Sequence, residues 1–362
     1  MSQLFSPITL KNVTVRNRAW MSPMCQYSAA PSGEDLGRPS DWHYVHYASR
    51  GWGGIGAIIV ESTAVTENGR ISPFDLAIHN DDQIPSFTKL AELIKSTGAT
   101  AGIQLGHAGR KGSGPRPWDE QTVLYPSTSE IGWNPVAPSA IPFSDMYETP
   151  HELTEDEIQG LIDSYAQAAR RAVEAGFEII ELHGAHGYLI HEFLSPLSNQ
   201  RTDRWGEDRM LFGLEVIKAV RKEVPGALAI RISATDWCEF ADDERVGWTV
   251  AESVEFIERA KELGLDFVDV STGGNIPNIK IPAGPGYQVR FAREIAKTGV
   301  PVGSVGLITE ATQAEQIVRD GVDVAVLGRV LLSDPYLPQA WRTRLREMPE
   351  FAQPYHRQLM RS

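Results

Sequence analysis

The chain is short of cysteine, of basic residues and of long apolar runs, and each shortage removes a class of protein. Cys25 and Cys238 are the only cysteines in 362 residues. Two thiols cannot build a disulfide framework, so the fold must rest on its core, and the chain fits a reducing compartment. Lys and Arg number 34 against 47 Asp and Glu, a net charge of −13. The basic residues are scattered, so the electrostatic footprint of a nucleic-acid partner is missing and a phosphate backbone would be repelled. No run approaches the ~18 consecutive apolar residues of a membrane span. The opening MSQLFSPITLKNV has neither the basic nor the apolar region of a secretory signal. Together these shortages predict a cytoplasmic protein with no nucleic-acid or membrane partner.

What is present is a repeated alternation of short apolar runs with longer amphipathic ones, the pattern of βα units. Eight candidate strands stand out: 19–24, 57–61, 101–105, 178–182, 228–232, 267–271, 300–304 and 323–327. Between the third and fourth lies a helix over 154–175, its apolar residues near a 3.6 period. It opens on LTEDE, where Thr154 and Glu157 have the spacing of a capping box. Eight such units predict one (β/α)8 TIM barrel over 1–362; an open doubly wound sheet is the alternative. GWGGIG, 51–56, has the letters of a dinucleotide fingerprint but precedes a strand instead of following one, which predicts a helix end and a tight turn. PITLKNVTVRNR alternates as a hairpin that would cover the barrel bottom. Residues 111–150, rich in Pro, Ser and Trp without a period, predict a lid or cap after strand three.

In a barrel, polar groups at the C-terminal strand ends converge on one mouth. After strand four comes HGAHGYLIHEF, with His183, His186 and His191 close together. A metal-dependent barrel hydrolase could use His107, His183 and His186 with Asp236 or Asp269. Gly328 and Arg329 after strand eight argue against it, because an arginine beside a divalent cation is costly. His191 is expected on the following helix, in a structural role. The ends of strands seven and eight are the phosphate corner of barrels, and Gly303, Gly306, Gly328 and Arg329 suit it. Arg231, between Ile230 and Ile232, needs an anionic or electron-rich partner, either a ligand or a carboxylate such as Glu181 or Asp269. Gln104 offers a donor and an acceptor to a ring edge. A phosphate anchor, a donor–acceptor edge and a cation describe a flavin mononucleotide site.

SPMCQYS, HGAHGYLIHEFLSPLSNQRTD and the terminal VGLIT and LGRVLLSDP resemble the old yellow enzyme family of flavin-dependent ene reductases, in its class with a cysteine beside the flavin. The resemblance runs from LFSPITLKNVTVRNR to about Pro338. It implies noncovalent FMN in a (β/α)8 barrel, NADPH as hydride donor, and a ping-pong reduction of the activated C=C bond of enone-type substrates. It implies that Ser22, Pro23, Met24 and Cys25 line the flavin, that Ser62 and Gln104 bond its pyrimidine edge, and that Arg231 stabilises charge near N1. His183 would contact both flavin and substrate, and Gly306, Gly328 and Arg329 would hold the phosphate. It further implies that His183 and His186 bind the substrate carbonyl, that Tyr188 protonates the α-carbon, and that Tyr27 and Lys111 line the pocket. Arg357 would reach a neighbouring subunit's site in a homodimer or homotetramer. Cys25 would tune the flavin and not act as a nucleophile, and the resemblance implies no metal.

Overall fold

Eight parallel strands close into a barrel in a computed structural model that describes residues 1–119, 125–241 and 243–360. They are β1 (Ala19–Met21), β2 (Ala57–Ala64), β3 (Thr100–Gly106), β4 (Ile179–Gly184), β5 (Ala227–Ser233), β6 (Phe267–Ser271), β7 (Val302–Ser304) and β8 (Val324–Leu327). Each pairs with its neighbour in sequence, and β8 returns to β1 with Ala325 opposite Ala19 and Leu327 opposite Met21. The chain is thus a (β/α)8 barrel and not an open sheet.

All eight apolar runs became strands, with ends that moved for identifiable reasons. The first stops at Met21, short of Met24, because its partner Leu327 is the last residue of β8 and the ladder runs out there. The second runs three residues past Glu61: a register shift between Val60 and Ser62 lets pairing with β3 resume at Ser62, Thr63 and Ala64. The fourth extends through His183 and Gly184, which pair with Arg231 and Ile232.

The N-terminal hairpin pairs Ile8–Leu10 with Val13–Val15, antiparallel. Its inward residues Ile8, Leu10, Val13 and Val15 pack against Trp20, Ala57, Ile179, Ala227, Phe267 and Val324, at the beginnings of the strands, so it seals the barrel bottom. GWGGIG ends the helix Asp41–Trp52 and turns into β2. A Cβ on Gly53 would meet the carbonyl oxygen of Pro335 at 1.8 Å, which accounts for a glycine at that contact. The helix Glu155–Glu174 begins as its sequence predicts: Thr154 Oγ1 accepts the Glu157 N–H, and the Glu157 carboxylate accepts the Thr154 N–H at 2.7 Å.

Beyond β3 a 3-10 turn, Gly109–Lys111, leads into the long segment before the helix Glu155–Glu174. Residues 120–124 of that segment lie outside the described residues. The rest is tied down by a two-residue pairing of Val136–Ala137 with His151–Glu152, and by bonds from Arg201 to Pro138 O and from Gln200 N to Ser139 Oγ. Among the described residues no helix is long and apolar enough to cross a membrane.

Candidate active site

Inside the barrel, consecutive strands pair Gln104 with Glu181 and Arg231 with Asp269, all buried, and Arg231 also stands opposite His183. Gln104 Nε2 donates to Glu181 Oε1 at 2.8 Å. Arg231 Nε lies 3.2 Å from Asp269 Oδ2, too poorly aligned to close a hydrogen bond. Burial, with Asp269 adding to it, pushes the Glu181 carboxyl up; burial does the same to Asp269 against the pull of Arg231. Two carboxyls that hold their protons more tightly than usual leave the guanidinium charge incompletely cancelled. Arg231 forms one wall of a cavity of about 250 Å³, with Met24, Ser271, Gly306, Gly328 and Arg329 on the others. A roomier cavity of about 520 Å³ lies by Tyr336, Phe351 and Tyr355 near the C-terminus. It has no comparable convergence of buried polar groups, so the site is assigned to the strand ends.

The histidines of HGAHGYLIHEF divide into two roles. His183 is the penultimate residue of β4, and His186 sits in the turn beyond it with φ +60°. Their rings are 5.3 Å apart, and the Tyr188 ring lies 4.8 Å from that of His183. Burial, reinforced by Arg231, holds both imidazoles well below the ordinary histidine value, so both are neutral. Burial pushes the Tyr188 hydroxyl well above its ordinary value, which keeps its proton in place. Gly106 admits this grouping, because a Cβ there would stand 3.0 Å from Ser62 Oγ and 3.1 Å from His183 Cβ.

His191 is on the helix Leu189–Leu194, fully buried, with a structural role bearing on the same turn. Its Nδ1 accepts the Gly187 N–H at 2.9 Å, and its Nε2 lies 3.1 Å from Asp236 Oδ1. Ser195 Oγ and the Trp248 N–H donate to the other oxygen of Asp236. Burial alone would raise the Asp236 carboxyl, but His191 and these donors outweigh it and hold it low. Sequence reading missed this clamp, and missed the glycines of STGGN after β6. A Cβ on Gly274 would lie 2.6 Å from His186 Cα, and one on Gly187 would lie 2.4 Å from Gly274 O. The adjacent glycines were the available signal. A second missed group backs SPMCQYS: Glu61 Oε2 accepts from Gln26 N and from the Tyr47 hydroxyl, with His43 3.4 Å from Oε1. Its signal was a carboxylate ending the apolar run AIIVE.

The remaining candidates take these places. Ser22 and Pro23 are buried just past β1, and Met24 and Cys25 are partly exposed. Burial, with Asp75 and Glu61, pushes the Cys25 thiol well up, so it stays protonated. Tyr27 has φ +50° and meets the exposed Trp118 edge to face. Lys111 Nζ donates to His186 O at 2.8 Å and Gly274 O at 3.0 Å, and lies 4.6 Å from the Phe143 ring and 5.0 Å from that of Tyr188. Burial lowers it to about 8. Arg357 is exposed on the C-terminal 3-10 segment Gln353–Met360 and pairs with no group among the described residues. The residues a hydrolase metal would need are parted: His107 Nδ1 accepts the Gly109 N–H, Asp236 faces His191 and Asp269 faces Arg231.

A closed parallel barrel with a guanidinium, a glycine corner and a neutral imidazole pair at its strand ends defines a flavin-type barrel oxidoreductase. The family described as NADH:flavin oxidoreductase / NADH oxidase matches residues 3–347. The NADPH dehydrogenase of Geobacillus sp. (strain WCH70) is 47% identical over 344 residues, covering 94% of this chain and 93% of its own. That of Listeria innocua is 43% identical over 362 residues, with 99% of both chains covered. Morphinone reductase superposes with a TM-score of 0.75 at 25% identity, over 98% of this chain and 92% of that one. A 2-naphthoyl-CoA reductase complex superposes with a TM-score of 0.81 at 26% identity; this chain spans about half, 52%, of that longer chain. The chain belongs to the NADH:flavin oxidoreductase / NADH oxidase family, that of the old yellow enzymes to which its motifs pointed, and is an FMN-dependent oxidoreductase.

Proposed function

We propose that this protein is an NADPH-dependent ene reductase that reduces the activated C=C bond of α,β-unsaturated carbonyl compounds in a ping-pong cycle. The observation that carries the reading is the neutral pair His183 and His186, 5.3 Å apart beside the cavity that Arg231 and Ser271 line. That cavity suits FMN. Beyond the misaligned Nε contact with Asp269, Arg231 has no partner among the described residues, and a Cβ on Gly328 would meet nothing nearer than Met24 Sδ at 3.8 Å, so the backbone there is open to a phosphate. Ser22, Pro23, Met24, Cys25, Ser62, Gln104, His183 and Arg231 would hold the flavin ring, and Gly306, Gly328 and Arg329 its phosphate. When bound, FMN supplies the redox chemistry, taking hydride from NADPH and delivering it to the β-carbon of the substrate.

This chain's side chains do the rest. His183 and His186 donate to the carbonyl oxygen as it becomes enolate-like, each worth roughly 3 kcal/mol at the transition state. Tyr188, kept protonated by burial, gives its proton to the α-carbon. Tyr27 closes over the substrate, and Lys111, bonded to the His186 carbonyl with its ammonium over the Phe143 ring, steadies the turn. The 111–150 segment acts as a lid on a single barrel domain. Arg357, exposed and unpaired among the described residues, serves a neighbouring copy's site in a cytoplasmic homodimer or homotetramer. Rapid mixing of NADPH-reduced enzyme with cyclohexenone tests the reading. Replacing either His183 or His186 by Ala should slow flavin reoxidation about 100-fold. Unchanged reoxidation in both variants would contradict it.

A further inference from the structure

We propose that Glu61, the extra residue of a bulge in β2, is the positioning residue for Cys25 and Tyr27: its carboxylate accepts the N–H of Gln26, the residue between them. The inference rests on the reading of Cys25 as a neighbour of the flavin and of Tyr27 as the cover of the substrate, and supplies what holds them there.

The segment that carries both residues has little backbone support. Ser22 N donates to Leu327 O where the ladder beside β1 runs out, and the next bond between backbone groups is from Ala29 N to Phe74 O. Of the N–H groups between Ser22 and Ala29, only that of Gln26 finds an oxygen acceptor among the described residues: Glu61 Oε2, at 3.1 Å. Gln26 in turn gathers its neighbours. Its Nε2 donates to Met24 O at 2.7 Å, and its backbone carbonyl accepts from Ser28 Oγ at 2.8 Å. Tyr27 follows in the left-handed region, φ +50°, a conformation that is costly for a residue with a side chain and persists only where its surroundings impose it.

The bulge brings the carboxylate within reach. Along β2, Ala57 and Ile59 pack in the cluster at the barrel bottom, while Ile58 and Val60 pack among the surrounding helices. Strict alternation would turn Glu61 into the barrel. Pairing instead jumps from Val60 opposite Ile103 to Ser62 opposite Gln104, so Glu61 is the added residue, and its side chain meets Tyr47 and His43 of the helix Asp41–Trp52. Tyr47 secures it there: its hydroxyl accepts the Glu61 N–H at 2.9 Å and donates to Oε2 at 2.8 Å. Thr63 Oγ1 donates to the Glu61 carbonyl at 2.9 Å. Glu61 and Tyr47 are fully buried, so loss of the carboxylate would leave the Tyr47 hydroxyl and the Gln26 N–H without their acceptor. A carboxylate bonded to a backbone N–H and a tyrosine acts on the reaction through the segment it holds.

The test is amide hydrogen exchange of the FMN-loaded enzyme, followed by NMR, with enone kinetics at equal flavin content. In Glu61→Ala the Gln26 amide should exchange about tenfold faster or more, with the amides of β3 to β5 unchanged, and the KM for cyclohexenone should rise about tenfold. Both should return toward wild type in Glu61→Gln, whose amide oxygen can still accept from Gln26 and Tyr47. Tyr47→Phe, which removes the other donor to Oε2, should move both in the same direction by about threefold and carries the test if Glu61→Ala does not fold. A Gln26 amide that exchanges no faster in these variants, or a KM that stays at the wild-type value while Tyr27→Ala raises it, would overturn the proposal. Faster exchange at Gln26 with an unchanged KM in Tyr27→Ala would support the anchoring and count against the reading of Tyr27 alone.

Discussion

A methyl group added at Gly274 would lie 2.6 Å from the Cα of His186, in a backbone conformation, φ +91°, that side chains rarely adopt. The turn that carries His186 and the turn after β6 therefore touch backbone to backbone, and the site's geometry depends on a residue with no chemistry of its own. Gly274→Ala should lower kcat/KM for cyclohexenone about 100-fold, the cost of moving an aligned group by ~1 Å. Steady-state kinetics at measured flavin content check this, and unchanged kinetics would mean that the two turns can part without consequence. Lys111 bridges the same turns through the carbonyl oxygens of His186 and Gly274. Burial lowers it from 10.5 to about 8, so the fold disfavours its charged form. Between about 8 and 10.5 the unfolded chain binds the extra proton, and the contribution of Lys111 to stability grows as pH rises through that window. Urea denaturation at several pH values should show a less positive slope there in Lys111→Met than in wild type; identical slopes would contradict the assignment.

At the scale of elements, the short helix Leu189–Leu194 and the loop after β5 act together through His191 and Asp236. The pair is fully buried and reaches the turn of His186 through the Gly187 N–H, so it couples packing to the aim of His186 and Tyr188. Asp236→Asn removes the charge opposite His191 and should destabilise the fold by about 3 kcal/mol. Because the Asp236 carboxyl is held low in the fold, its contribution is present above the ordinary carboxylate value and fades as pH falls through the lowered one. The variant should show a lower urea midpoint, a raised KM for the enone and a shallower loss of stability in acid. A variant as stable as wild type at neutral pH would show that the clamp is idle. The eight strands were legible because a parallel barrel strand is buried on both faces and reads as an unbroken apolar run. The clamp was not: Asp236 and His191 are far apart in sequence, and neither interrupts a pattern. The end of β2 was misjudged for a related reason, since the bulge at Val60 and Ser62 depends on pairing with β3 and leaves no local mark.

Across the whole molecule, barrel closure is what turns a list of strand ends into a site. Gln104, Glu181, Arg231 and Asp269 come from four consecutive strands, and the parallel register sets Gln104 opposite Glu181 and, one step of two residues higher, Arg231 opposite both His183 and Asp269. That convergence could be read from the sequence once the barrel was inferred, as could the placing of His183 and His186 together at one strand end. The contacts that place each group could not, because they arrive across loops: Ser271 to His186, Gly274 to the His186 backbone and Glu61 to Gln26. The central claim is that this barrel passes hydride from NADPH to an enone. Its most direct test is the visible absorption of the purified, FMN-loaded protein under anaerobic conditions, recorded on adding NADPH and then cyclohexenone. The account predicts a flavin band that NADPH bleaches and one equivalent of cyclohexenone restores, with cyclohexanone formed in equal amount. A band that NADPH leaves unchanged, or one that bleaches and is not restored by the enone, would contradict it.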